Sequence, residues 1–507
     1  MTALPPAALA EALHRNSPRF QPAVTPWHSL AVHGGVLLLW VLLLWAAFQD
    51  NSLLAWSVGV VYASYDTVLL LFVAWQTRGL WRDRRGLLRD PSTPSRHAAP
   101  GCADATDARH QDVGRPSLGV IIAAHNEAAV LPVTLHALLT QGDRPDQILI
   151  ADDGSSDGTA QWLRQHCGLG TPEPGQLSID SPIHPGLRWL RLPHGGKARA
   201  LNAALPLLDT DIVLTVDADT LLEPGAVAAV RQAFAQEASL AAATGVITPV
   251  CAPGLTGRVM EGFQTYEYIR NFLSRHAWAQ HNSLLLVSGA FAAFRRQAVI
   301  QVGGFDPDCL VEDYELIHRL HRHSHRRGLG WTVRVLGQAQ ARTEAPSTLM
   351  AFLRQRRRWF GGFLQTQYWY RDMVGNPALG TLGTRMLPVK AADTLQPLYG
   401  ITAFCLLLGF LAVGQYQVVL PALSVIGLKT FIDLIYHLWS VRLYRQWVGD
   451  ARRASPARAL LAALAEPFTF QLLRHTAAAW GWWSVLTGRT HWGAQARGGL
   501  AAQARMP

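Results

Sequence analysis

Charge is scarce in this chain: only 16% of its 507 residues are Asp, Glu, Lys or Arg, against about a quarter in soluble globular domains. Apolar residues reach 49% and the mean hydropathy is +0.11, so a wholly disordered chain is excluded, and the length excludes a single small binding module. Lysine is nearly absent, with Lys197, Lys390 and Lys429 the three among 45 basic residues, so a lysine inside a motif is unlikely to be accidental. Cysteine is sparse too. Cys102, Cys167, Cys251, Cys309 and Cys405 lie far apart, form no C-x-x-C pair and have no even count, which argues against a disulfide framework and for reduced, mostly packing thiols. The net charge of +10 comes with no nucleic-acid-binding motif, so neither DNA nor RNA is an expected partner.

What the chain has in quantity is long apolar runs. Residues 29–48, SLAVHGGVLLLWVLLLWAAF, hold no Asp, Glu, Lys or Arg, and twenty residues at 1.5 Å rise reach about 30 Å, the depth of a bilayer core. The run starts late, exceeds the apolar part of a signal peptide and is followed by a second run at 52–76. It therefore reads as one arm of a transmembrane hairpin, 29–76, and not as a cleaved leader. Arg78, Arg82, Arg84, Arg85 and Arg89 follow, whereas the tip around Asp50 has no basic residue, which places the N-terminal segment 1–28 and the flank after the hairpin in the cytoplasm. Asp66, inside the second arm, is expected to face other helices.

Residues 394–413 and 418–441 form a second hairpin, 394–441, with the neutral tip GQYQ outside and an Arg-rich cytoplasmic loop at 442–458 carrying Arg442, Arg445, Arg452 and Arg453. Lys429 and Asp433 lie four residues apart on one helix face and read as an ion pair, the lining of a polar translocation path being the alternative. Residues 459–487 are apolar and Trp-rich but broken by Glu466, Pro467, Arg474 and His475. They read as a fifth span or, as the Arg-bearing tail 488–507 favours, as interfacial or re-entrant helices.

Between the hairpins, 77–115 is a basic flank and linker, and 116–345 alternates short apolar runs (GVIIAA, QILIAD, IVLTVD) with helical stretches such as 127–140 and 225–237. This predicts an α/β domain with a mostly parallel sheet flanked by helices, in which ligands bind at the carboxyl ends of strands. Four features fall there. The first strand ends at His125, Asn126 and Glu127; the second ends at Asp152 and Asp153 before the turn GSSDGT. In HGGKARALN two glycines admit a close backbone approach and Lys197 brings a compact charge suited to phosphate. Asp217 and Asp219, one residue apart at the end of IVLTVD, can hold a hard divalent cation. Each alone reads as a surface turn or solvated loop, but four in one domain are harder to dismiss.

Two later motifs add chemistry. Glu312 and Asp313 open a helix, where a carboxylate gains from the N-terminal dipole. Gln355, Arg358 and Trp359, in LRQRRRWFGG within an interfacial helical stretch at 346–393, suit a sugar beside a pyrophosphate. A helix cap and a basic interfacial helix are the plainer readings. In HRLHRHSHRR, His318, His321 and His325 share a face, but Arg319, Arg322, Arg326 and Arg327 would repel a metal, so the segment reads as a basic solvated or headgroup-facing surface.

AAHNE, ADDGSSDGT, GGKARALN, DAD, VSGAFAAFRR, VED and QRRRW occur in the order found in the membrane-embedded family 2 glycosyltransferases, the group that includes cellulose, chitin, hyaluronan and poly-N-acetylglucosamine synthases. The likeness covers residues 116 to 375, and the ending from ALLAALAEPFTFQLL to THWGAQARGG resembles a bacterial branch with undefined product. The resemblance implies a Rossmann-like GT-A nucleotide-sugar-binding domain set between the hairpins of a multi-pass bacterial inner-membrane protein. It implies that Glu127 and Asp153 contact the nucleoside, Lys197 lies near the uridine diphosphate, and Asp217 and Asp219 bind ribose and a divalent metal, Mg²⁺ or Mn²⁺. Asp313 becomes the general base, Glu312 stands on the acceptor side, and Gln355, Arg358 and Trp359 sit at the donor pyrophosphate and acceptor sugar. Two positions depart from the group's pattern: Val311 stands in place of Thr, and Ala123, Ala124 and His125 in place of Pro-x-Tyr.

These residues suit one inverting displacement, from a nucleotide (UDP-) sugar to a growing β-linked glycan, by a processive synthase coupled to membrane translocation. A single-transfer enzyme acting on a lipid acceptor and a catalytically silent membrane partner of a polysaccharide assembly are the alternatives; intact Asp217, Asp219 and Asp313 speak against the last. The membrane is an expected partner, and the sequence points to no protein partner.

Overall fold

A computed structural model describes residues 6–81, 114–449 and 456–489. The linker at 82–113 with Arg82, Arg84, Arg85 and Arg89, the loop residues Arg452 and Arg453, Cys102 and the tail beyond 489 lie outside the described residues.

In chain order, helix α1 (Pro6–Asn16) precedes α2 (Trp27–Ala46) and α3 (Ser57–Thr77). The central domain then runs β1 (Leu118–Ala124), α4 (Leu131–Leu139), β2 (Gln147–Asp153), α5 (Thr159–Cys167), β3 (Leu187–Leu192), α6 (Lys197–Ala204), β4 (Ile212–Asp217), β5 (Thr220–Leu222), α7 (Ala226–Gln236), β6 (Leu240–Val250), α8 (Leu255–Ala279), β7 (Phe291–Arg295), α9 (Arg296–Val302), α10 (Glu312–Arg327) and β8 (Thr332–Glu344). Helices α11 (Leu349–Trp369), α12 (Leu387–Ala412), α13 (Tyr416–Val448), α14 (Pro456–Ala465) and α15 (Phe470–Leu486) follow.

The eight strands form one sheet in the order β3-β2-β1-β4-β7-β6-β8-β5. β1 and β2 are buried along most of their length, which is why they read as continuous apolar runs without alternation. The expected mostly parallel sheet is a mixed one: β1 with β2, β1 with β4, β2 with β3, and β6 with β8 are parallel, while β4 with β7, β6 with β7, and β5 with β8 are antiparallel. Register decides what meets at the carboxyl edge. Ala124 pairs with Asp152 and Ala123 with Asp217, so the ends of β2 and β4 flank the end of β1. Because β7 is reversed, its first residue Phe291 pairs with Val216, and the turn before β7 reaches the same edge.

Four helical stretches, Trp27–Ala46, Leu53–Leu80, Leu382–Ala412 and Tyr416–Val448, are long and apolar enough to cross a membrane. Leu38, Leu42, Leu71, Leu420 and Phe431 stand exposed on them, as lipid-facing residues do. Polar contacts tie the spans together: the Trp56 indole donates to the Ala403 carbonyl at 2.8 Å, and Lys429 pairs with Asp433, as the spacing predicts, and also with Asp66 of α3 at 2.7 Å.

A second set of ion pairs continues toward the sheet. Arg270 of α8 meets Glu466 at 3.1 Å, Arg474 of α15 meets Glu267 of α8 at 3.5 Å, and Arg356 of α11 pairs with Glu267 as well. Helix α15 lies against α11 at a glycine crossing. A Cβ on Gly481 would stand 2.4 Å from the Arg357 carbonyl oxygen and 2.8 Å from the Gly361 nitrogen, so the two backbones touch. Helix α1 packs on the end of α9, where a Cβ on Gly303 would lie 2.0 Å from the Leu13 nitrogen. Asn16 donates to the Gln301 carbonyl at 3.1 Å, and Arg19 reaches Asp306 at 3.0 Å and Asp308 at 2.7 Å.

The basic segment in α10 is exposed as expected at His325, Arg326 and Arg327, but its first half corrects the expectation. His318, Arg319, His321 and Arg322 are buried: Arg319 pairs with Glu315 at 2.6 Å, His318 bonds the Tyr314 carbonyl and His321 the Leu284 carbonyl, each at 2.9 Å. Burial pushes His318 down to about 3, so it is neutral. Glu315, one turn before Arg319, is what lets that arginine enter the core.

Arg356→Met is expected to lower the melting temperature of the detergent-solubilised protein by several degrees, because an ion pair broken on one side leaves a buried carboxylate at a penalty of about 3–5 kcal/mol. An unchanged melting curve would mean that Arg474 alone satisfies Glu267.

Candidate active site

The loops after β1, β2 and β3 are fastened around Asp153, the last residue of β2. Its carboxylate accepts from the Gly195 and Gly196 amides at 2.7 and 2.9 Å, and the His194 Nδ1 lies 3.0 Å from it. Its main-chain oxygen bonds the His125 Nδ1 at 2.8 Å, and the His125 and His194 rings stack with centroids 4.3 Å apart. Gly196 at φ +96° is the turn into α6, a conformation glycine takes without strain. Asp153 thus holds the glycine loop that aims Lys197. Asn126, itself at φ 59°, accepts from the Ser156 and Asp157 amides at 2.7 and 3.2 Å, which binds the turn GSSDGT to the end of β1. Glu127 is buried and its carbonyl accepts from Val130 and Leu131, starting α4.

A second group of charged side chains converges at the end of β4, on the far side of β1. The Lys197 Nζ stands 2.5 Å from Asp217 and 3.8 Å from Glu312, and donates to the Gly289 carbonyl at 3.3 Å. Burial works against its charge, but Asp217 and Glu312 outweigh it and hold the ammonium above its usual range. Asp313 is gripped by two backbone amides: Gly289 donates to Oδ2 at 2.7 Å and Tyr314 to Oδ1 at 2.8 Å. A Cβ on Gly289 would stand 2.9 Å from that Oδ2, so a side chain there would shift the carboxylate. Glu312 is buried, and burial raises its carboxyl against the pull of Lys197.

Helix α11 closes this side. Arg358 donates to the Leu310 carbonyl at 2.9 Å, tying α11 to the loop that leads into Glu312. The Gln355 amide oxygen accepts from Arg356 at 2.7 Å, and the Arg356 guanidinium lies 4.1 Å from the centre of the Trp359 ring. The structure therefore brings Lys197, Asp217, Glu312, Asp313 and Arg358 into one neighbourhood, with Glu127 and Asp153 on the adjoining loops and Gln355 and Trp359 on the helix beside it.

Sequence reasoning misses Gly289 and Glu344. Gly289 is legible only as a small residue before an apolar run. Glu344 ends the alternating run TVRVLGQAQARTE, and the pairing of Thr220 with Thr343 sets its amide 3.2 Å from the Asp219 carbonyl. Burial, Asp217 and Glu344 together push Asp219 up to about 8. Carboxylates crowded this way fit a divalent cation, and an all-oxygen donor set suits Mg²⁺ or Mn²⁺. His125, Asp153 and His194 also keep ligand atoms within 4.8 Å of one another, but the Asp153 oxygens and both Nδ1 atoms already serve the loop bonds given above.

Two outcomes are expected. Mn²⁺ affinity, followed by electron paramagnetic resonance, should tighten by about tenfold per pH unit toward pH 8 and level off above it, because the cation displaces the Asp219 proton; Asp219→Asn should remove that slope. Gly289→Ala should reduce turnover by about 10²-fold or more by displacing Asp313 while nucleotide affinity is kept, and full turnover would show that the amide contact is dispensable.

Residues 119–303 match Glycosyl transferase family 2, and residues 212–421 match Glycosyl transferase family group 2. Curated relatives include the poly-beta-1,6-N-acetyl-D-glucosamine synthases of Staphylococcus aureus strain COL, 27% identical over 243 residues covering 48% of this chain and 53% of theirs, and of Staphylococcus epidermidis, 25% identical over 260 residues covering 50% and 55%. The chain spans about half the length of these relatives. A mannosyltransferase from Pyrobaculum calidifontis, solved in complex with GDP-Man and Mn²⁺, aligns with a TM-score of 0.48 at 20% identity over 82% of this chain and 99% of that one. The two family matches fall on the mixed, GT-A-like sheet and the helices that follow it, so that residues 119–421 of this chain carry family 2 glycosyltransferase domain sequence.

Proposed function

We propose that the chain moves a sugar from a UDP-sugar to the end of a β-linked glycan with inversion, as a processive synthase that passes its product through its own membrane helices. The observation that carries this reading is the placement of Lys197 against both Asp217 and Glu312, which sets the donor-side carboxylate of β4 next to the acceptor-side pair that opens α10. Asp313, oriented by the Gly289 and Tyr314 amides, takes the proton of the acceptor hydroxyl as its oxygen bonds the anomeric carbon. The bond to the diphosphate breaks on the opposite face, and Lys197 and Arg358 neutralise the departing charge. Asp217, Asp219 and Glu344 would hold a divalent cation, which when bound supplies further positive charge to the diphosphate. With no covalent intermediate, an α-linked donor gives a β-linked product.

The synthase half of the reading draws on the likeness to poly-N-acetylglucosamine synthases, which makes UDP-N-acetylglucosamine the first donor to try, and on the four apolar helices around the domain. Arg78 after α3 and Arg442 and Arg445 at the end of α13 favour a catalytic domain on the cytoplasmic face of a bacterial inner membrane.

Vesicle-embedded protein supplied with radiolabelled nucleotide sugars and Mg²⁺ or Mn²⁺ should make a long polymer from one donor. Asp313→Asn should cut the rate by about 10²- to 10⁴-fold. A short product on lipid would select a single-transfer enzyme, and nucleotide-sugar binding without turnover across the donors would overturn the catalytic reading.

A further inference from the structure

Arg275 of α8 is a half-buried cation with no ion pair among the described residues. Its Nε and Nη1 are sealed from solvent and have no hydrogen-bond partner among those residues, and the guanidinium lies 4.7 Å from the centre of the Phe272 ring. Elsewhere this chain pairs its buried arginines: Arg231 with Asp143 and Asp146, Arg319 with Glu315, Arg356 with Glu267. Sealed donors left unbonded are costly and call for a specific explanation. Arg322 and Arg356 also leave Nε unbonded, but each makes an ion pair through Nη2, whereas Arg275 leaves two nitrogens unbonded and has no ion pair among the described residues, which points to a partner outside the chain.

Location indicates which partner. Helix α8 runs between β6 of the sheet and the spans α3 and α13. Trp278, three residues beyond Arg275 and on the same face, packs with Val311 and Tyr314 in a cluster that Trp359 joins. Burial brings the Arg275 guanidinium down to about 10, with Tyr268 and Asp313 close enough to offset part of that fall. Arg275 therefore stands on the side of Asp313 and Trp359, whereas the donor diphosphate is expected at Lys197 and Asp217.

We propose that Arg275 is a further acceptor-binding residue, whose unbonded N–H groups donate to oxygens of the sugar unit that presents its hydroxyl to Asp313. A planar fork of donors spans two neighbouring sugar oxygens, and an aromatic ring such as Trp359 packs on the apolar face of the same unit. Together they would fix both the position and the rotation of the terminal sugar before transfer. The inference rests on the glycosyltransferase reading above and goes beyond it by naming a determinant outside the recurring motifs.

The test separates donor from acceptor binding. Full-length protein in detergent is titrated with UDP and, separately, with a β-1,6-linked N-acetylglucosamine oligomer, following tryptophan fluorescence, for wild type, Arg275→Met and Arg275→Lys. The oligomer Kd is expected to rise about tenfold or more in Arg275→Met and less in Arg275→Lys, with the UDP Kd within about twofold of wild type. Unchanged oligomer affinity overturns the inference, and so does an equal loss of UDP and oligomer affinity. Wild type that binds UDP but no oligomer overturns it and leaves the nucleotide reading standing; wild type that binds neither removes the proposed function and this inference with it. Should Arg275→Met fail to fold, Arg275→Lys keeps the charge and loses the fork, and an oligomer affinity equal to wild type in that variant is then the overturning result.

Discussion

Paired charges in the interior connect the long apolar helices to α11, and the rest of the architecture depends on them. Lys429 sits between Asp66 and Asp433 inside the spans, Arg270 bonds Glu466, Arg474 reaches Glu267, and Glu267 takes Arg356 of α11. Arg270 lies within electrostatic reach of Asp66 and Asp433, so the two groups form one series. In lipid, apolar helices gain little by touching each other rather than acyl chains, and small or polar residues decide which faces meet. The glycine crossing of α11 and α15 serves the same end from the packing side. A chain with so few charges therefore concentrates several where they orient α11, and with it Gln355, Arg358 and Trp359, relative to the spans.

The site itself is organised by competition for a few donors. Asp153 is satisfied by the Gly195 and Gly196 amides, Asp313 by those of Gly289 and Tyr314, and Asp217 by Lys197. Two of these carboxylates are held by backbone groups, which cannot swing away as side chains do, so their geometry survives the arrival and departure of substrate. Asp219 differs in having like charges for neighbours.

Much of this was legible because the relevant signals are local. The apolar runs gave β1, β2 and β4 and placed Asp153 and Asp217 at strand ends; the spacing of Glu312 and Asp313 before a helical pattern gave the start of α10; and the spacing of Lys429 and Asp433 gave their pairing. What escaped is non-local. Nothing in FAAFR says that β7 runs against its neighbour β4, yet that reversal is what carries Gly289 to Asp313. Glu344 joins Asp219 only through strand register. The burial of His318 to Arg322 had a local sign, Glu315 one turn before Arg319, which the surrounding arginines outweigh when charge is read by composition alone. Arg275 carries no motif and is visible only as an unsatisfied group.

Helix α1 comes before the first span in the chain, but its docking surface is made far later. Asn16 bonds Gln301, 285 residues on, and Arg19 bonds Asp308, 289 residues on. At about 5–20 residues added per second, the ribosome needs on the order of 15 to 60 seconds after making α1 to deliver the groove that receives it. During that interval α1 exists without the surface that will receive it. Docking of α1 therefore joins parts of the chain made far apart in time, and a bulky group attached to that helix would meet its obstacle as the α9 surface forms.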